Sequence, residues 1–173
     1  MTGLKLFSIS TAEQGGSLAV VDGGRLIFQE YWDIRQTHSR RLMTMIEQAV
    51  EQRSQVGLGD IDYFVAARGP GSFTGLRIGI SVIKGLAFAN NKPALGVSSL
   101  DGIGYRFSHS QVPVCVMMDA RRDEVYSAVY NFKNGRLTAK SDETVSDPDR
   151  ILEYLTGNVL FAGSGTAIYR ERI

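Results

Sequence analysis

The chain has 173 residues, 43% of them hydrophobic and 21% charged, with a formal net charge of +1. A fold of this length buries roughly 70% of its extended surface, so stability does not call for disulfides, and a single cysteine excludes a disulfide framework. The even charge balance excludes the strongly basic footprint of an autonomous nucleic-acid binder, and no apolar run reaches the roughly 18 to 20 residues that span a bilayer.

Met1 to Leu6 passes directly into a strand pattern rather than a signal peptide, so a cytoplasmic protein without membrane contact is expected. Leu4 to Ile9, Ser17 to Val21 and Arg25 to Trp32 are short apolar runs separated by glycine-containing turns, among them Asp22-Gly23-Gly24. They predict a three-stranded antiparallel meander. From His38 to about Arg53, Leu42, Met45, Ile46, Ala49 and Val50 recur at helical spacing. Ile61 to Ala67 predicts a strand and Phe73 to Asn90 a helix, which Lys92-Pro93 stops.

Ala94 to Val97 then predicts a short strand, and Ser98-Ser99-Leu100-Asp101 a helix start running to about Phe107. A β-rich block follows, with strands over Val112 to Asp119, Glu124 to Asn131 and Arg136 to about Lys140, the last two joined by Lys133-Asn134-Gly135. Asp147-Pro148 opens a helix covering Arg150 to Tyr154, and Asn158 to Ala162 is a final strand before Gly163-Ser164-Gly165. The pattern argues for a layered α/β protein with a first lobe over residues 1–108 and a smaller one over 109–173. No short-period repeat and no low-complexity segment is present.

The segment with the most chemical content is Gly69-Pro70-Gly71-Ser72-Phe73-Thr74-Gly75-Leu76-Arg77-Ile78-Gly79. It is not a P-loop, because Leu76-Arg77 stands where a lysine and a hydroxyl are needed, and its glycine spacing misses the dinucleotide fingerprint. Two readings stay open. Gly69, Gly71, Ser72, Thr74 and Gly75 are a candidate anion-binding loop at a helix start, or the glycines permit a tight turn and a close backbone approach. The following helix is apolar around most of its circumference, with a narrow polar stripe at Arg77, Ser81 and Lys84, and such a helix must be covered on nearly all sides.

His38 and His109 are the only histidines, too few for a multi-histidine metal site. Cys115, within Val114-Cys115-Val116-Met117-Met118, reads as a buried thiol. Asp119-Ala120-Arg121-Arg122-Asp123-Glu124 reads as a solvated hairpin whose opposite charges pair across it, the alternative being an acid and base pair or a divalent-ion site.

The glycine-rich segment resembles the signature of the TsaB (YeaZ) family, bacterial paralogues of the threonylcarbamoyl transferase TsaD. His38-Ser39-Arg40-Arg41-Leu42, Ser98-Ser99-Leu100 and Asp119-Ala120-Arg121-Arg122-Asp123-Glu124-Val125-Tyr126 extend the resemblance over nearly the whole chain. It implies an actin-like, sugar-kinase-like (ASKHA) fold of the ribonuclease H-like class, with two related lobes. It also implies a non-catalytic role in making N6-threonylcarbamoyladenosine in tRNA, in a heterodimer with TsaD joined by the ATPase TsaE, and a homodimer when alone. TsaD holds a metal through histidines on its first helix, where this chain has only His38.

On this resemblance tRNA is met only through the complex, no cofactor belongs to this subunit, and ATP or ADP belongs to the assembly. Leu42, Met45, Ile46, Ala49, Leu76, Ile80, Ile83 and Ala87 become the expected partner-binding residues. Two departures stand out. Ser8-Ile9-Ser10-Thr11 replaces the family's Asp-Thr-Ser-Thr, and the chain ends at Ile173 where family members continue, so an incomplete second lobe is expected. The alternative activity is that of a nucleotide-binding phosphotransferase or ATPase of the same superfold.

Overall fold

The computed structural model describes residues 3–33, 39–54 and 56–173 and divides into two compact units, Met1–Val97 and Ser98–Ile173. In the first unit β1 (Lys5–Ser10), β2 (Gly15–Asp22) and β3 (Arg25–Asp33) form the expected antiparallel meander. β4 (Tyr63–Gly69) then pairs with β1 in parallel, and β5 (Ala94–Ser98) completes the order β3-β2-β1-β4-β5.

Because side chains alternate along a strand, register decides which residues share a face. Phe7 stands opposite both Val20 and Phe64, and Ile9 opposite both Leu18 and Ala66. All six are buried, and Phe7 meets Phe64 edge to face at 5.9 Å between ring centroids. Two helices close this core. Helix α1 (Ser39–Glu47) continues as a π-helix over Gln48–Arg53, and α2 spans Phe73–Ala89. The expected helix start at His38 lies outside the described residues.

The second unit repeats the same plan. β6 (Val114–Arg121), β7 (Glu124–Lys133) and β8 (Arg136–Lys140) are an antiparallel meander, and β10 (Leu160–Ala162) pairs with β6 in parallel. The order β8-β7-β6-β10 thus matches β3-β2-β1-β4. The sequence pattern did not announce this duplication, nor the short strand β9 (Thr144–Ser146) beside β7.

Helix α3 (Ser99–Gly104), which the sequence reading gave to the first lobe, belongs to the second unit, so the division falls after Val97 rather than after Ser108. The reason is packing. Gly104 lies against the ring of the fully buried Tyr130, where a Cβ would come within 3.0 Å, and the Tyr130 hydroxyl donates to Asp101 Oδ1 at 2.9 Å. Lys140 Nζ donates to the same oxygen at 2.6 Å and to Glu143 Oε1 at 2.8 Å. Helix α4 (Pro148–Leu152) starts as expected, with Asp147 capping the amide of Asp149, and α5 (Ser164–Ile168) follows β10.

Burial and then the bond to Asp101 push the Tyr130 hydroxyl far above its ordinary range. Burial also raises the Glu143 carboxyl, but bonds from Lys140 and Ser98 outweigh it and hold Glu143 below its ordinary value. A carboxylate depressed in the folded state stabilises the fold above its ordinary pKa, and that stabilisation is lost as pH falls through the depressed value. In urea unfolding at pH 7, Glu143→Gln is therefore expected to cost about 0.5–1 kcal/mol, a difference that closes in acid below the depressed value. Asp101→Ala, which leaves the Tyr130 hydroxyl without its acceptor, is expected to cost about 1–3 kcal/mol.

A candidate partner-binding helix

The glycine-rich segment is decided by what stands behind it. A Cβ on Gly71 would lie 2.3 Å from the carbonyl oxygen of Ala12, one on Gly75 2.0 Å from that of Thr11, and one on Gly79 2.4 Å from Thr11 Oγ1. No side chain fits at these distances, so α2 lies with its backbone directly against the chain leaving β1. Thr11 Oγ1 donates to the Gly75 carbonyl at 2.7 Å, and the Ser72 amide donates to the Ala12 carbonyl at 2.7 Å.

Of the two readings left open by the sequence, this geometry is that of close packing. The Ser72 hydroxyl already accepts from the Gly75 amide at 3.3 Å as the cap of α2, and Thr74 is exposed. The side of the turn that faces β1 is filled by backbone.

The consequence of this seating is the orientation of α2. Ile83, Leu86 and Ala87 enter the core of the first unit beside Leu42, Ile46, Ala49 and Val50 of the first helical segment. Five of the eight expected partner-binding residues, Leu42, Ile46, Ala49, Ile83 and Ala87, are buried in the core of their own lobe. Met45, Leu76 and Ile80 are half-buried.

What α2 does present is a row at helical spacing: Phe73, Arg77, Ser81, Lys84 and Phe88, all exposed. Phe73 and Phe88 are 75% and 91% exposed, far more than a phenylalanine needs to be at the edge of a core. The Arg77 guanidinium lies 5.4 Å from the centroid of the Phe73 ring, and both border a shallow depression of about 390 Å³ with Ile78, Ser81 and Val82. The narrow polar stripe Arg77-Ser81-Lys84 expected from the sequence is the middle of this row. Extending it by four residues in each direction gives Phe73 and Phe88.

Cys115 is fully buried, and burial pushes its thiol up to about 12, which leaves no thiolate for attack near neutral pH. His109 is exposed and its ring packs over Gly135 of the β7–β8 turn. Among the described residues, no three His, Cys, Asp or Glu side chains come together as metal ligands. No described helix is long and apolar enough to cross a membrane.

Two units of one duplicated topology, each a meander with a parallel fourth strand, define an α/β protein of the actin-like, sugar-kinase-like fold. The profile of the family described as TsaD, tRNA N6-adenosine threonylcarbamoyltransferase, matches residues 33–172, and the chain belongs to this family. Among its relatives, the tRNA threonylcarbamoyladenosine biosynthesis protein TsaB of Escherichia coli is 31% identical over 94% of this chain and 72% of its own length. The protein of the same description from Bacillus subtilis is 29% identical over 98% and 75%. The solved structure of YeaZ from Pseudomonas aeruginosa superposes with a TM-score of 0.84 at 33% identity, covering 98% of this chain and 80% of that one.

The glycine seating is tested by paired substitutions on one helix. Gly75→Ala is expected to destabilise the fold by about 2–3 kcal/mol, since a backbone carbonyl must move. Gly85→Ala, exposed with open space around it, is expected to stabilise it by about 0.5–1 kcal/mol. Chemical denaturation of both variants gives the comparison.

Proposed function

We propose that this chain is a non-catalytic, activating subunit in the formation of N6-threonylcarbamoyladenosine on tRNA, acting in a heterodimer with a TsaD-type transferase. The observation that carries the reading is the pair of phenylalanines on the outer row of α2. A helix so closely seated on its sheet gains nothing in its own lobe from Phe73 and Phe88. Aromatic and arginine side chains at the centre of an interface account for much of its binding energy. A stable interface buries more than about 1,000 Å², so the half-buried Leu76 and Ile80 and the exposed Met43 of α1 belong to the same proposed surface.

The relatives named as threonylcarbamoyladenosine biosynthesis proteins support the process. The buried cysteine supports the assignment of the chemistry to another subunit, as do the capped helix start and a turn whose inner side is packed against backbone. In this reading the TsaE-type ATPase joins the assembly, ATP or ADP is handled there, and two copies of this chain pair when the transferase is absent. A phosphotransferase or ATPase would instead bind ATP as the isolated chain.

The test is reconstitution with the TsaD-type protein of the same organism. Phe73→Asp or Phe88→Asp is expected to weaken the complex by at least about 2 kcal/mol while leaving the melting temperature unchanged, since neither ring is in the core. Ile83→Asp, by contrast, is expected to unfold the first unit. Unchanged affinity in both phenylalanine variants moves the interface off α2. The absence of any complex or gain in transferase activity with the wild-type chain overturns the function.

A further inference from the structure

The β6–β7 hairpin is the most strained segment of the described chain. Arg121, Arg122 and Asp123 follow one another at φ of 65°, 54° and 60°, in the left-handed region that L side chains enter only at a cost. The strand register shifts between Asp119 and Arg121, and Asp119 Oδ1 accepts the Arg121 amide at 2.9 Å, which fixes the bend. Glycine or asparagine would suit these positions better, yet two arginines occupy them.

The pairing of opposite charges expected across this hairpin is not what the structure shows. Arg121, Arg122, Asp123 and Glu124 are all exposed, and among the described residues no ion pair joins either arginine to a carboxylate. The divalent-ion alternative also lacks its cluster of ligands among the described residues. The turn therefore holds two guanidinium forks out in solvent at a conformational cost, and among the described residues no ion pair of theirs offsets it.

We infer that Arg121 and Arg122 are phosphate-contacting residues through which this chain touches the tRNA backbone. The inference rests on the function proposed above. The Asp119–Glu124 tip contains no large apolar side chain, so it lacks the apolar centre that a protein interface needs. A phosphate backbone contact needs none, and the planar fork of arginine matches it in bidentate geometry. Three carboxylates beside the two arginines leave the turn with a slight excess of negative charge and no long-range attraction, so the contact is made only at short range, by the guanidinium forks themselves, and positions the RNA rather than capturing it.

The experiment uses the full chain assembled with its TsaD-type partner and unmodified tRNA, with affinity measured by fluorescence anisotropy across a salt series. An Arg121→Gly, Arg122→Gly double variant is expected to bind tRNA about tenfold or more weakly. The slope of log affinity against log salt should fall by about 1.5, at roughly 0.7–0.9 for each phosphate that is no longer neutralised. Its melting temperature should equal or exceed that of the wild type, because glycine relieves the turn. The Arg121→Lys, Arg122→Lys variant should recover part of the affinity, since charge remains without the fork.

Unchanged tRNA affinity and slope in an intact complex overturns the inference. So does a lowered melting temperature, which would make the arginines structural, or a loss of partner binding, which would make the tip a protein contact. Failure of the wild-type chain to assemble with the transferase is read separately and overturns only the function proposed above.

Discussion

The first unit depends on one contact, the backbone of α2 laid against the backbone of Thr11 and Ala12 at the end of β1. Gly71 just before the helix and Gly75 and Gly79 on it leave a bare stripe, and the Thr11 hydroxyl and Ser72 amide lock the two segments across it. A methyl group at Gly75 would push the helix away, so this contact fixes both its distance and its rotation. With the rotation fixed, Ile83, Leu86 and Ala87 must enter the core and Phe73 and Phe88 must stay out. The surface proposed for a partner is thus a consequence of how the helix is seated, and it cannot be moved without disturbing the lobe.

The second unit applies the same device on a smaller scale. Gly163 and Gly165 follow β10 as Gly71 and Gly75 follow β4, and a Cβ on either would crowd the carbonyl oxygen of Met117 in β6. In both units the chain leaving the parallel fourth strand passes close over the backbone of the first strand or of the residues just after it, and only glycine permits that approach. What differs is the wrapping. The first unit closes its core with the long helices α1 and α2, whereas the second uses the short helices α4 and α5 and a polar link from Asp101 through Tyr130 and Lys140 to Glu143.

Much of the fold was legible because strand and helix periods are local. The meanders, the helix stop at Lys92-Pro93, the cap at Asp147 and the buried state of Cys115 all follow from short-range pattern. The candidate site was less legible. Leu42, Ile46, Ala49, Ile83 and Ala87 are as apolar as interface residues should be, but an apolar residue reads alike whether it faces its own sheet or a partner. The lobe division shifted for a similar reason: nothing local in Ser99–Gly104 says that Tyr130 and Asp101 will meet.

The sequence by itself determined the α/β class, the family signature at Gly69–Gly79 and the rejection of standard nucleotide loops, since each rests on residue types at fixed spacing. Tertiary structure decided that the glycines pack against the backbone of Thr11 and Ala12, and it gave the two related lobes that the resemblance implied their common strand order. It also decided that the exposed row of α2 runs from Phe73 to Phe88 and that the arginines of the β6–β7 turn form no ion pair among the described residues. Those outcomes depend on contacts between segments far apart in the chain, such as Thr11 with Gly75, which no local pattern encodes.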